Sequence, residues 1–393
     1  MRLPDCVAAL LGSLRFDGSA PDLAGFNEAE WKSALYFFDR HQLTLLPRGR
    51  FPESVQRRLD QNLAANRERI RRMKQAFWQV QDTLDAAGIE FVVLKGFANW
   101  DRFTADPERR LQYDLDLYCP GAAIDARTAL KSLGYESIPT DGRTAVDHLP
   151  ALVRKTGWQW KGDFFDPEIP LSVELHFRLW DEVTEGFRVP GVEDFWSRRV
   201  TQSLDGREYL ALDPVDSVGY ACLHLLRHLL RGDVRAANVY ELAYFLHVSA
   251  DNEGFWRRWR RLQGAGICFL LAKSWFGCRL HSAAQSEIDL LPPRVRKWFD
   301  RYAWSPAEAL FHPNKDELWL HLSLLDSFSK KWQVVRRRLA PMRLPGPLDS
   351  VFIPDKDMTW AVRLAKRYQY SRYVAGRALF HARALSRMLR IRV

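Results

Sequence analysis

Cysteine is scarce in this 393-residue chain: five, at Cys6, Cys119, Cys222, Cys268 and Cys278. Their odd number, wide scatter and lack of Cys-x-x-Cys spacing exclude a disulfide framework and a zinc knuckle, and point to a reducing, cytoplasmic setting. No apolar run approaches the roughly 20 residues of a membrane span. The N-terminus, with one Arg, Asp5 and a short apolar stretch, does not read as a secretory signal. Internal repeats and low-complexity segments are lacking too. Acidic residues nearly vanish from the end: residues 330–393 hold three Asp and no Glu against 16 Lys or Arg. The net charge there is +13, against −3 for everything before it. The remaining composition, 47% hydrophobic, is that of a globular chain long enough for two or three domains.

The most informative feature is Tyr113-Asp114-Leu115-Asp116-Leu117-Tyr118, two carboxylates one residue apart in an apolar run that reads as a strand. Alternate strand residues share a face, so both carboxylates point the same way. Like charges that close repel unless a cation lies between them, which suggests a divalent ion held through oxygen ligands, Mg²⁺ or Mn²⁺. Upstream, Ile89 to Leu94 is a β-branched run ending in Lys95-Gly96, followed by a helix-compatible stretch from Phe97 to Phe103. A strand, a glycine turn and a helix start can hold phosphate on exposed N–H groups. Downstream, Leu171 to Phe177 alternates and places Glu174 and His176 on one face, adding a third carboxylate. His176 is placed to bind substrate or to orient that carboxylate; a packed structural histidine is the bland alternative.

These residues resemble the DNA polymerase beta-like nucleotidyltransferase superfamily and, more narrowly, a bacterial family of uncharacterised nucleotidyltransferases. The resemblance runs from about Trp31 to Met388. It rests on Leu94-Lys95-Gly96, Arg109 or Arg110 before Asp114 and Asp116, Val173-Glu174-Leu175-His176, the turn Gly134-Tyr135, and a later helix with His224 and His228. It implies transfer of a nucleoside monophosphate from an NTP to an acceptor hydroxyl or phosphate, with release of pyrophosphate. Asp114, Asp116 and Glu174 would be the catalytic and metal-holding carboxylates. Lys95, Gly96, Arg109 and Arg110 would hold the nucleotide. The wider superfamily usually has Gly-Ser at the turn, whereas this chain has Gly96-Phe97, so the serine's contact to triphosphate would fall to another group, such as Lys95. The alternative is an inactive descendant that binds nucleotide, RNA or a partner protein; RNA is not favoured, and neither acceptor nor oligomeric state is readable. His224 and His228, i and i+4 on a helix, could bind zinc, but without an obvious third ligand a packing or substrate role is favoured. Glu241 matches a commonly acidic family position and reads as a structural or substrate contact.

The expected fold is α+β, a small mixed-sheet core flanked by N-terminal and C-terminal helical regions. Four regions follow: 1–87 helical, with Asn27 capping a helix through His41 and Pro52 opening a long helix closed by Gly88; 88–210 the core; 211–329 helical; and 330–393 a Pro-interrupted loop and a basic terminal helix. Strands are expected near Ile89, Tyr113, Gly157, Leu171 and Tyr209, with a helix from Ala123 to Leu133. In the terminal helix, Leu364, Tyr368, Tyr370, Tyr373, Val374, Phe380, Leu385 and Met388 recur at spacings suited to packing, so a helix docked on the body with a solvated arginine face is the expectation. An RNA, anionic-membrane or acidic-partner surface is the functional alternative.

Overall fold

The computed structural model describes residues 3–18, 23, 25–138, 147–339 and 360–390. Seven strands form one mixed sheet: β1 (Val92–Val93), β2 (Asp114–Tyr118), β3 (Tyr135–Ser137), β4 (Leu152–Arg154), β5 (Ser172–His176), β6 (Val200–Leu204) and β7 (Arg207–Ala211), in the order β3-β4-β5-β2-β1-β7-β6. β2 runs parallel to β5 and β1 parallel to β7; the other neighbours are antiparallel.

Side-chain alternation sorts the sheet into two cores. Leu115 and Leu117 of β2 and Val93 of β1 pack with Phe77, Val80 and Leu84 of the long helix Glu53–Ala86 and with Leu130 of the helix Ala123–Leu130. Residues of the other parity, Tyr118, Val92 and Leu94, join a larger core built from the helices of the second half of the chain. That core also takes in Phe37 and Phe38 of the helix Glu28–Arg40, beside Val218, Leu226 and Phe269. The first helices therefore pack with residues 214–324 and with the start of the long helix, through Val55 and the Arg58–Asp39 pair. The site-bearing face of the sheet is the one turned toward this helical body.

Several expected elements form as read. Asn27 accepts from the Glu30 backbone N–H while Glu30 returns a bond to the Asn27 N–H, a reciprocal cap contributing about 1 kcal/mol. The long helix begins after Pro52 and ends just before Gly88, and Gly134-Tyr135 opens β3. Others differ. The strand expected near Ile89 shrinks to two residues, and the one expected near Gly157 lies instead at Leu152–Arg154, because Gly157 takes a left-handed conformation in the loop beyond it. Pro293 and Pro306 lie in the first turns of short helices that divide the region read as helical, since a first-turn N–H needs no partner. Residues 330–339, read as loop, belong to a helix (Phe328–Leu339); the prolines of the expected loop, Pro341, Pro345, Pro347 and Pro354, lie outside the described residues. The terminal helix Trp360–Arg390 is not packed as expected: Leu364 and Tyr368 are exposed, and Val374 and Phe380 are only half-buried. The side chains of Tyr370, Tyr373, Leu385 and Met388 lie outside those described.

Two buried histidines tie distant elements together. His41 packs against Phe37 with the rings tilted by 38° and accepts from the Ala236 N–H at 3.3 Å; His321 Nε2 lies 2.8 Å from the Glu185 carbonyl oxygen. Burial, reinforced by Arg40 for the first and Arg338 for the second, pushes each down to about 4. The unfolded chain takes up protons at these rings near pH 6.5, so their stabilisation is complete above that value and is lost as pH falls toward 4. Urea unfolding midpoints are expected to drop steeply across this window, each ring contributing on the order of 3 kcal/mol. A His41→Gln/His321→Gln chain should show a flatter profile; an unchanged slope would refute the assignment.

Candidate active site

The register of two parallel strands creates the site. β5 aligns with β2 so that Glu174 is the direct partner of Asp116 and Ser172 that of Asp114. Because Leu115, Leu117, Val173 and Leu175 fill the apolar core on one face, Asp114, Asp116, Glu174 and His176 must emerge on the other. A one-residue slip would drive the carboxylates into that core, so burial of the leucines fixes the acidic face. Asp114 and Glu174 keep about a quarter of their side-chain surface exposed, at 24% and 25%, whereas Asp116 keeps 1%.

Lys95 supplies the counter-charge. The Leu94 N–H donates to the Asp116 carbonyl at 3.0 Å, and Gly96, at φ +75°, then turns the chain so that Lys95 Nζ lies 3.2 Å from both Asp114 Oδ2 and Asp116 Oδ2. A side chain at residue 96 would meet Gln112, whose Nε2 donates to the Asp114 carbonyl at 2.8 Å. Glycine is thus required for both backbone angle and space. The helix start is modest: a 3₁₀ turn, Gly96–Asn99, then a single α turn, Trp100–Phe103. Phe97, which stands where the superfamily has serine, is buried in the sheet core against Phe77 and Tyr209 and does not enter the site.

Burial opposes charge on all these groups, and their neighbours decide the outcome. Burial lowers the Lys95 ammonium, but Asp114, Asp116 and Glu174 outweigh it and hold it above the usual lysine range. Burial raises Asp116, yet Lys95 and His176 hold it far below the ordinary carboxylate range. Glu174 is pushed up to about 7, by burial first and then by Asp116 and Asp114. One lysine does not balance three carboxylates, and Glu174 carries the deficit. A cation fits this donor set: Asp116, Glu174 and His176 offer ligand atoms within 4.8 Å of one another, and Asp116 Oδ2 is buried with no hydrogen-bond donor aligned on it.

His176 is fully buried behind the carboxylates. Its Nε2 lies 3.1 Å from Asp116 Oδ1, and its Nδ1 lies 3.5 Å from Asp147 Oδ2, which in turn pairs with Arg227. Its side chain keeps no exposed surface. The helix Pro214–Arg231 lies over the site and presents His224, whose Nε2 is 3.4 Å from Lys95 Nζ and 3.2 Å from His228 Nε2. His228 Nδ1 ends the chain of contacts at Asp233, 3.1 Å away. Burial and then Lys95 hold His224 far below its usual range, so it is neutral. Among the described residues neither His224 nor His228 joins a metal-ligating cluster.

The two arginines diverge. Arg110 Nε pairs with Glu241 at 2.8 Å and lines a small cavity beside Lys95, together with Asn99, Tyr220, His224 and Glu241. Arg109 bonds Asp106 and the Leu45 carbonyl and does not line that cavity. Tyr220 Oη and Asn99 Oδ1 are buried at its wall with no hydrogen-bond partner. Asp147, Arg227, Tyr220 and Asn99 were not singled out from the sequence. Only Tyr220 carried a signal, its spacing of four and eight residues before His224 and His228 on one helical face. A larger cavity of about 1050 Å³ lies between the first helix and Trp275, Tyr302 and Trp304, away from the sheet.

A mixed sheet that presents an Asp-x-Asp strand, a third carboxylate on the adjoining strand and a lysine at a glycine turn defines a nucleotidyltransferase. The family model described as "Uncharacterised nucleotidyltransferase" matches residues 28–277, and the chain belongs to this family. Comparison with curated proteins and with solved structures returns no match.

Replacing Lys95 by Met leaves the buried Asp116 without its cation. The expected loss is about 3–5 kcal/mol of unfolding free energy, partly restored by millimolar Mg²⁺ and not by Na⁺. Thermal melts of both chains with and without Mg²⁺ check this; a variant as stable as the parent would show that the ion pair does not hold the site together.

Proposed function

We propose that the chain is a metal-dependent nucleotidyltransferase that moves a nucleoside monophosphate from an NTP to an acceptor hydroxyl or phosphate. The observation that carries this reading is the convergence of Asp114, Asp116 and Glu174 with Lys95 on the one polar face of the sheet. In the reaction an acceptor oxygen bonds to the α-phosphorus, the bond from that phosphorus to the bridging oxygen breaks, and pyrophosphate leaves. Asp114, Asp116 and Glu174 would hold Mg²⁺ or Mn²⁺, which when bound neutralises triphosphate charge and makes the acceptor oxygen a better nucleophile. Glu174 is assigned the acceptor's proton, taken up on a carboxylate oxygen. Lys95 and Arg110 are assigned to the phosphates, and Gly96 to their close approach. Arg109, held by Asp106 and Leu45, is assigned to shaping the loop that leads into β2. His176, held by Asp147 and Arg227, keeps Asp116 oriented. The cavity wall of Asn99, Tyr220 and Glu241 is assigned to substrate recognition.

One observation favours a second reading. Lys95 Nζ lies 3.2 Å from both Asp114 and Asp116 and itself offsets part of their charge, an arrangement also suited to a site that binds nucleotide without turnover. Labelled NTPs offered with candidate acceptors separate the two. Asp116→Asn should abolish Mg²⁺-dependent transfer while the chain still folds, because a repelling carboxylate is removed. Glu174→Gln should lower turnover by at least about 100-fold while changing NTP affinity much less. Transfer insensitive to EDTA, or full activity in Asp116→Asn, would refute the metal-dependent assignment; nucleotide binding without transfer to any acceptor would favour the second reading.

A further inference from the structure

The last two helices carry a surface the proposed chemistry does not use. Phe328–Leu339 and Trp360–Arg390 contain 13 Lys or Arg and no Asp or Glu. Among the described residues, contacts with the body gather on one side. Val334 is buried, Arg338 Nη1 pairs with Glu317 at 2.8 Å, and Arg377 Nε donates to the Arg338 carbonyl at 2.9 Å, with His381 buried beside them. On the terminal helix the opposite side is uncharged. Trp360, Leu364, Tyr368, Ala375, Leu379 and Ser386 fall within an arc of about 100° at helical periodicity, and all are exposed. Arginines border the arc: Arg367 and Arg372 are exposed beside it, and Arg372 lies 5.8 Å over the Tyr368 ring. The preceding helix repeats the pattern, with Phe328 and Trp332 four residues apart at 82% and 58% exposure.

We propose that these two helices seat the protein on the surface of an anionic lipid bilayer. An exposed apolar stripe of Trp, Tyr and Leu flanked by arginines, with acidic residues excluded, is suited to lying in the plane of the headgroups. The apolar side chains enter the acyl boundary and the guanidinium groups meet lipid phosphates. No described helix is long and apolar enough to cross a membrane, which fits a surface-lying mode. Single-stranded RNA would match the charge and stack on Trp360 and Tyr368 but would leave Leu364 and Leu379 in water. A second copy of the same helices is opposed by like charge.

The full-length chain is sedimented with vesicles of phosphatidylcholine alone and of phosphatidylcholine with phosphatidylglycerol, at low and near-physiological salt. Two variants accompany it, Leu364→Ser/Tyr368→Ser/Leu379→Ser and Arg367→Glu/Arg372→Glu, each checked by thermal melting. The parent should pellet with the anionic vesicles only, and each variant should bind them at least tenfold more weakly with an unchanged melting temperature. No pelleting with anionic vesicles, or equal pelleting of the Ser variant, overturns the proposal. So does a fall in the Ser variant's melting temperature without loss of vesicle binding, which would assign the stripe to the protein's own packing. Preferential binding of an RNA oligonucleotide, or a dimer that the Ser variant dissolves, overturns it as well.

Discussion

Mutual repulsion of carboxylates in a poorly hydrated place is the constraint on which this structure turns. Asp116 is buried, Asp114 and Glu174 stand beside it, and charge on any one raises the free energy of the others. The fold answers by setting other polar groups on both sides of the carboxylates. Lys95 stands toward the helical body; the carboxylates follow; His176 lies behind them, then Asp147, then Arg227. Each member is held by backbone geometry set elsewhere: Lys95 by the Gly96 turn, Gln112 by the space that turn leaves open, and His176 by the same β5 alternation that buries Val173 and Leu175. Removal of the lysine leaves the buried Asp116 charged and uncompensated, which costs more than the pair itself contributes.

The sheet and the helical body meet at this charged layer, and each brings a different part of the chemistry. From the sheet come the oxygen ligands and the lysine. The helix Pro214–Arg231 and the one after it, Ala236–Val248, contribute Tyr220, His224 and Glu241. In the proposed function nucleotide handling would rest on the strand register, while the wall assigned to substrate recognition belongs to helices whose side chains can vary without disturbing that register. Anchoring of the first helices in the same core as Pro214–Arg231 holds that wall against the sheet.

Legibility from the sequence followed the range of the interactions. Asp114 and Asp116, Glu174 and His176, and the Lys95-Gly96 turn were readable because strand alternation and glycine's conformational freedom are local properties written in adjacent residues. The Asn27 cap and the Pro52 start were local as well. The strand expected near Gly157 fell a few residues short because pairing with β3 and β5, not propensity, decides where β4 runs. Asp147 and Arg227 could not be read at all: each is an unremarkable charged residue until the fold brings it behind His176 from another part of the chain. The exposed stripe of the terminal helix has the same periodicity as a buried one, and only the absence of a partner across it distinguishes the two.

β2 and β5 run parallel, and parallel neighbours need a long crossover; His176 and Asp116 are 60 residues apart along the chain. Hairpins such as β6–β7 close over a short loop, but β2–β5 must first absorb the loop-closure entropy of everything between them. The carboxylates therefore converge only when this long-range pairing completes, among the slower events of folding. A newly made chain carries Glu174 apart from the Asp114–Asp116 pair, all three hydrated, until this pairing forms, so assembly of the unfavourable charge layer is deferred to a stage when the strands can hold it.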